Sequence, residues 1–254
     1  MPNGNIVVTE ERGTRVITLR RPGKKNAITQ DMYREMSRAI DTAQNNPDIR
    51  CMIITGGSGA FTAGNDLQDF LKDSAEKAES PRASNAVKFL YSLAQNTKPI
   101  IAAVDGIAIG IGTTMLFHCD YVLASTTATF STPFIHLGLV PEAASSLLFP
   151  RTMGHQRAFA ALVMGRTMTA EDGQAAGFIN EIVPPGHTEV EARKVAREIC
   201  ALPVEAVAIS RRLLKLPPED LTRRIDQESH LFGERMKSQE ASAAFKAFFA
   251  RKKG

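Results

Sequence analysis

Ile100-Ile101-Ala102-Ala103-Val104-Asp105-Gly106-Ile107-Ala108-Ile109-Gly110-Ile111-Gly112-Thr113-Thr114-Met115-Leu116-Phe117 is the most apolar stretch of the chain. Five β-branched or small apolar residues, Ile100 to Val104, read as a buried strand. Asp105 and Gly106 break it, and Gly110 and Gly112 open an apolar helix expected from about Gly112 to Cys119. A membrane span needs about 20 predominantly apolar residues without such interruptions, so this stretch belongs to a protein core. Strand, glycine turn and helix in that order predict an α/β fold.

The alternation continues on both sides. Upstream, Ile6 to Glu11 and Arg15 to Leu19 read as two strands turning at Gly13. Thr29 is the expected N-cap of a helix carrying Tyr33, Met36, Ile40 and Ala43 at helical spacing, and Cys51 to Thr55 follows as a short strand. After a polar stretch from Asp73 to Ser84 a helix is expected near Ala86 to Gln95. Downstream, Tyr121 to Ala124, Thr129 to Ser131 and Phe178 to Val183 are strand candidates. Helices are expected near Ala144 to Phe149, His155 to Met164 and Ala170 to Ala176, with Thr169 and Asp172 as a capping box and Gly177 as a stop. Beyond Pro184-Pro185-Gly186 only helical patterns remain: Glu189 to Ala201, Val204 to Leu214, Asp220 to Met236 and Glu240 to Arg251. Residues 1–186 therefore read as an α/β core and 187–254 as a C-terminal helical region.

The length of 254 residues suits one large α/β unit with an appendage, and 43% hydrophobic with 23% charged residues excludes disorder and coiled coil. A net charge of +4 and an aromatic content of 6% without tryptophan give no case for nucleic acid. Cys51, Cys119 and Cys200 lack disulfide or zinc spacing, which points to a reducing cytoplasm. None of the five histidines falls in a metal-binding pattern, so no metal is expected, and His118 and His136 read as hydrogen-bonded structural residues.

Three local patterns invite chemistry. Gly56-Gly57-Ser58-Gly59-Ala60 lacks the last glycine of a nucleophile elbow and reads as a loop. Gly110-Ile111-Gly112 lacks the third glycine of a dinucleotide fingerprint; it leaves either a helix N-terminus with free N–H groups or a close helix-sheet contact. Phe61-Thr62-Ala63-Gly64-Asn65-Asp66-Leu67 is either a turn presenting backbone N–H groups or an Asx turn. Pro141-Glu142 fits the first turn of a helix, yet its neighbours Leu137, Leu139, Val140, Ala143 and Ala144 are apolar. A buried carboxyl there would have a raised pKa, as suits a base acting on a weak carbon acid.

Together with Arg21 to Ile28 and Ala128 to Phe134, these segments resemble the crotonase superfamily, the enoyl-CoA hydratase/isomerase family, over essentially the whole chain. Leu202-Pro203, Ser210-Arg211 and Phe245 to Phe249 fit its helical end. The resemblance implies a crotonase-like ββα spiral core with a C-terminal helical region at subunit contacts, assembled as a homotrimer or a dimer of trimers. It implies acyl-CoA as substrate, with coenzyme A part of that substrate and no permanently bound cofactor. By position, the Asn65 and Ile111 N–H groups would form an oxyanion hole, and Lys24, Lys25, Ala63 and Leu67 would line the CoA site. Phe134 and Ser145 are candidates for the acyl pocket.

Departures narrow the activity. Hydratases of the family carry two glutamates that activate water, and here those positions hold Thr114 and Phe134. Ala63-Gly64-Asn65-Asp66-Leu67, and Pro141-Glu142 ahead of Ser145-Ser146, are more similar to the branch of peroxisomal-type Δ3,Δ2-enoyl-CoA isomerases. The resemblance then implies that Glu142 is the single base, moving a proton from C2 to C4 through a dienolate. Another reaction of the family, hydration included, and a non-catalytic acyl-CoA binder are the alternatives.

Overall fold

The computed structural model describes residues 4–57, 59–69, 71 and 84–251. The polar stretch from Asp73 to Ser84 lies outside the described residues except for Ser84, as does Ser58 of the glycine loop.

Six strands make the main sheet: β1 (Ile6–Glu11), β2 (Thr14–Leu19), β3 (Cys51–Thr55), β5 (Ile100–Val104), β7 (Tyr121–Ser125) and β10 (Glu181–Val183), side by side in that order. β1 and β2 form an antiparallel hairpin turning at Arg12 and Gly13, and the remaining neighbours pair in parallel. A second sheet holds β4 (Ala60–Thr62), β6 (Ile107–Ile109) and β8 (Thr129–Ser131) in parallel, with β9 (Met168–Thr169) antiparallel at its edge. β3 thus runs through a short turn into β4, β5 into β6 and β7 into β8. Each time the chain leaves the large sheet, turns a corner and adds a strand to the small one.

Strand periodicity places the core. Met52, Ile54, Ile100, Ala102, Val104, Val122 and Ala124 join one buried cluster. The alternate residues Cys51, Ile53, Ile101, Ala103 and Leu123 join another. A sheet covered on both faces needs such continuous apolar runs. On the first face lie α1 (Gln30–Gln44), capped by Thr29 Oγ1 on the Met32 N–H, and α2 (Asn85–Gln95). On the second lies α7 (Thr188–Ala201), through Ala192 and Ala196. The first helix beyond Gly186 is therefore bound into the core by packing.

The helix expected from Gly112 to Cys119 is a single α-turn, α3 (Ile111–Thr114), continued as a 3-10 helix through His118. Three short strands, β4, β6 and β9, arise where the sequence gives only loops, and the strand expected from Phe178 begins at Glu181. α4 (Ser145–Met153) runs on through Pro150, α5 spans His155–Leu162, and α6 (Ala170–Ala175) begins with the expected Thr169–Asp172 capping box. α8 (Val204–Leu214), α9 (Pro218–Met236) and α10 (Gln239–Arg251) complete the chain.

Candidate active site

The two segments with free-donor potential meet at one place for a reason of register. β4 pairs with β6 so that Thr62 lies opposite Ala108. Asn65 and Ile111 each lie three residues beyond that pair. Contact between the loops depends on absent side chains: a Cβ on Gly64 would stand 2.7 Å from Ile109 O, and one on Gly112 would stand 2.4 Å from Thr62 Cγ2. Gly64 also has φ +82°, open to glycine and strained for other residues. The chain therefore uses glycine at both positions to bring the backbones together.

The neighbouring N–H groups have partners. Ala63 N donates to Lys25 O at 2.9 Å, Gly64 N to Thr62 Oγ1 at 3.0 Å and Asp66 N to Ile28 O at 2.9 Å. Gly110 N donates to Ser131 O at 2.8 Å, and Thr113 N and Thr114 N both donate to Gly110 O. Among the described residues, the Asn65 and Ile111 N–H groups find no protein acceptor. Ile111 is the first residue of α3, where an N–H has no intrahelical partner.

Both readings of the 61–67 loop hold in part. Asp66 Oδ1 accepts from the N–H groups of Gln68 and Asp69 at 3.2 and 3.4 Å, an Asx-type cap on the helical turn at 67–69. Arg21 Nη1 pairs with Asp66 Oδ2 at 2.8 Å. Burial works to raise the Asp66 carboxyl, but Arg21 and these N–H donors hold it below the ordinary aspartate value. The Asn65 side chain is fixed separately, its Oδ1 accepting from Tyr33 Oη at 2.5 Å. Tyr33 is buried on α1, and burial together with the negative charge of Glu142 pushes its phenol well above 10.

Glu142 does not lie in the first turn of a helix. Ala143 and Ala144 intervene before α4, both left-handed with φ of 62° and 55°. Such a backbone costs an L-residue about 1–2 kcal/mol, so the surroundings must enforce it. His118 Nε2 donates to Ala143 O at 2.8 Å, Ser145 Oγ donates to Glu142 O at 2.5 Å, and Glu228 accepts from Ala144 N at 2.6 Å. His118 is buried, and desolvation pulls its pKa down to about 4, in keeping with the structural role expected for it. Among the described residues, the Glu142 carboxyl accepts one hydrogen bond, from Thr114 Oγ1 at 2.6 Å. Desolvation raises its pKa to about 8 against the lowering effect of Thr114, and the neighbouring Glu228 charge adds to the rise. Thr114 lies on the same short turn as Ile111, and Tyr33 joins Glu142 electrostatically to Asn65.

The other candidates divide. Lys24 and Lys25 are exposed at the 3-10 turn Pro22–Lys24, and the Lys25 O to Ala63 N bond joins that turn to the 61–67 loop. Leu67 and Phe134 belong to one apolar cluster with Leu139 and Phe245, and Phe134 Cε1 stands 3.7 Å from where a Gly110 Cβ would be. Ser145 is fully buried with its hydroxyl on the Glu142 carbonyl. Sequence reading missed Tyr33 and Glu228 as functional groups. Glu228 had one signal: it follows Leu221 and Ile225 at helical spacing, a carboxylate on an apolar stripe.

Strand-turn-strand corners feeding two sheets, with short helices between the turns, make this a crotonase fold. The fold is similar to that of Pseudomonas aeruginosa OdaA, with a TM-score of 0.90 and 41% identity, covering 96% of this chain and 98% of that one. The chain belongs to the enoyl-CoA hydratase/isomerase family, which it matches over residues 9–254. It is similar to enoyl-CoA delta isomerase 2 of Rattus norvegicus, 35% identical over 250 residues, which cover 97% of this chain and 64% of that protein. It is also similar to the peroxisomal enoyl-CoA delta isomerase 3 of Mus musculus, 32% identical over 251 residues, 98% of this chain and 79% of the relative. The chain thus spans a little under two thirds of the rat protein's length.

Proposed function

We propose that the protein is a Δ3,Δ2-enoyl-CoA isomerase of fatty-acid degradation with Glu142 as its single base. The observation that carries this reading is the placement of one desolvated carboxyl, free of any cation partner among the described residues, beside two loops whose Asn65 and Ile111 N–H groups are unspent. In this mechanism the thioester oxygen accepts from those two N–H groups. Glu142 removes a proton from C2, and the C–H electron pair moves into the C1–C2 bond and onto the thioester oxygen, giving a dienolate conjugated with the C3–C4 double bond. The protonated carboxyl then delivers that proton to C4, the double bond comes to rest between C2 and C3, and the base is regenerated. No water is consumed, so one carboxyl serves both transfers. Donors aimed at charge that develops in the transition state contribute most where water is excluded.

Two features speak against hydration. Thr114 and Phe134 occupy the positions of the hydratase glutamates, and Thr114 hydrogen-bonds the base. The other carboxylate nearby, Glu228, is committed to Ala144 and Ser146. Lys24, Lys25, Ala63 and Leu67 are assigned to the CoA entrance and Phe134 to the acyl pocket; Ser145 supports the Glu142 backbone from behind. Residues 187–254 are assigned to subunit contacts in a trimer or dimer of trimers, supported by the exposed Ile209, Leu213 and Leu214 of α8. Three free thiols, Cys51, Cys119 and Cys200, support the cytoplasmic placement.

Incubation of the purified protein with a 3-enoyl-CoA and, separately, a 2-enoyl-CoA in 18O-water tests the reaction class. The expected product is the conjugated thioester without 18O. Predominant formation of an 18O-labelled 3-hydroxyacyl-CoA would contradict the assignment.

A further inference from the structure

Helix α9 of the C-terminal region places a second carboxylate directly behind the candidate base. Glu228 is buried, 5% exposed, on the face that also carries Leu221 and Ile225. Its Oε2 accepts from Ala144 N at 2.6 Å, and its Oε1 accepts from Ser146 N at 3.0 Å and Ser146 Oγ at 2.5 Å. Arg224, one turn earlier, donates to Ser146 Oγ at 3.0 Å and completes the network. These acceptors satisfy N–H groups at the start of α4, which have no intrahelical partner. They also hold Ala144, the second residue of the left-handed Ala143–Ala144 pair that follows Glu142 and sets the direction of its side chain.

We infer that Glu228 is the positioning residue of the base: its carboxylate holds the strained 143–146 turn and so keeps the Glu142 carboxyl on Thr114 and over the reacting carbons. The inference rests on the reading of Glu142 as the base. Glu228 acts through Glu142 and touches no substrate. An unenforced alanine pair would leave the left-handed region, and Glu142 would swing with it. A carboxylate suits the task because both of its oxygens accept, whereas an amide would turn an N–H toward the Ala144 or Ser146 donors.

Charge gives the second consequence. The groups facing Glu142 are Thr114 Oγ1, Tyr33 Oη and the Glu228 carboxylate. Those facing Glu228 are Ala144 N, Ser146 N and Oγ, Arg224 and Glu142. Arg224 also lines a cavity of about 250 Å³ with Arg151, Asp220 and Arg223. Removing the Glu228 charge removes a repulsion that favours the protonated form of Glu142, so the base should ionise at lower pH.

The test is isomerisation of a 3-enoyl-CoA by wild type, Glu228→Gln, Glu142→Gln and the double variant, each followed across pH. For Glu228→Gln, kcat is expected to fall about 10- to 100-fold with KM within about twofold, and the acid limb of kcat/KM to move to lower pH. The double variant should be no slower than Glu142→Gln alone, because one residue acts through the other. Glu228→Gln with wild-type kcat and an unmoved limb, beside an inactive Glu142→Gln, would overturn the inference and leave the base in place. A fully active Glu142→Gln would overturn both. If Glu228→Gln fails to fold, Ser146→Ala decides: kcat reduced about threefold at constant KM supports the inference, and unchanged kcat overturns it.

Discussion

Glu142 carries its proton to a higher pH in the folded protein than in the unfolded chain. Burial raises its pKa from 4.5 to about 8, the Thr114 hydroxyl pulls the other way, and the Glu228 charge adds to the rise. Only the carboxylate can accept a proton from C2, so kcat/KM should climb with pH and level off above about 8. The same shift has a consequence for stability. Below pH 4.5 both states are protonated, and between there and about 8 the unfolded chain releases the proton first. This group's contribution to stability is therefore complete at low pH and is lost as pH rises through that window. Glu142→Gln removes the loss, so its Tm relative to wild type should be higher at pH 9 than at pH 5. Thermal melts of both proteins at the two pH values measure this, and a difference independent of pH would contradict it. The raised carboxyl was legible in the sequence, from the apolar neighbours of Pro141-Glu142. The left-handed alanines and the Glu228 clamp were not, because nothing in an Ala-Ala pair announces a positive φ and the clamp comes from 84 residues away.

Among the elements, the short strands β4 and β6 and the glycines beyond them fix where the two loops meet. Gly64→Ala would need a Cβ 2.7 Å from Ile109 O at φ +82°, so either the loop or the strand must move. A loss of about 1–3 kcal/mol in denaturant unfolding is expected, with kcat reduced at least as strongly as the folded fraction. An unaltered unfolding midpoint would show that the contact gives way without cost. Cys51 to Thr55, Ile100 to Val104 and Val204 to Leu214 are bounded as their periodicity predicts. Their residues are apolar at a single period over three or more positions. β4, β6 and β9 are two or three residues long and sit among glycines or polar turns, too short to show a period, and their pairing is decided by the strands beside them.

At the scale of the molecule, the C-terminal helices are anchored to the core and leave an apolar face open. α7 closes the sheet through Ala192 and Ala196, and α9 reaches the candidate base through Glu228. α8 between them leaves Leu213 and Leu214 79% and 88% exposed, with Leu202, Val204 and Ile209 about half exposed nearby. Apolar residues grouped in this way support the proposed subunit contact. Replacing Leu213 and Leu214 together by Lys should convert a trimer or hexamer into smaller species in light scattering, and an unchanged mass would assign the contact elsewhere. Family and fold were readable from the sequence because the motifs at 61–67, 103–112 and 128–134 run along or just beyond the small-sheet strands β4, β6 and β8, and the motif at 21–28 is tied to the first of them by the Ala63 N–Lys25 O bond.

The most direct test of the central claim is the rate at which Glu142→Gln isomerises a 3-enoyl-CoA at pH 8.5 or above, where the wild-type carboxyl is largely ionised. The substitution keeps the shape of the side chain and removes its ability to take a proton. A fall in kcat of about 100- to 10,000-fold is expected, with the variant folded and KM little changed. A variant as fast as wild type would contradict the assignment and place the proton-transfer group elsewhere beside Asn65 and Ile111.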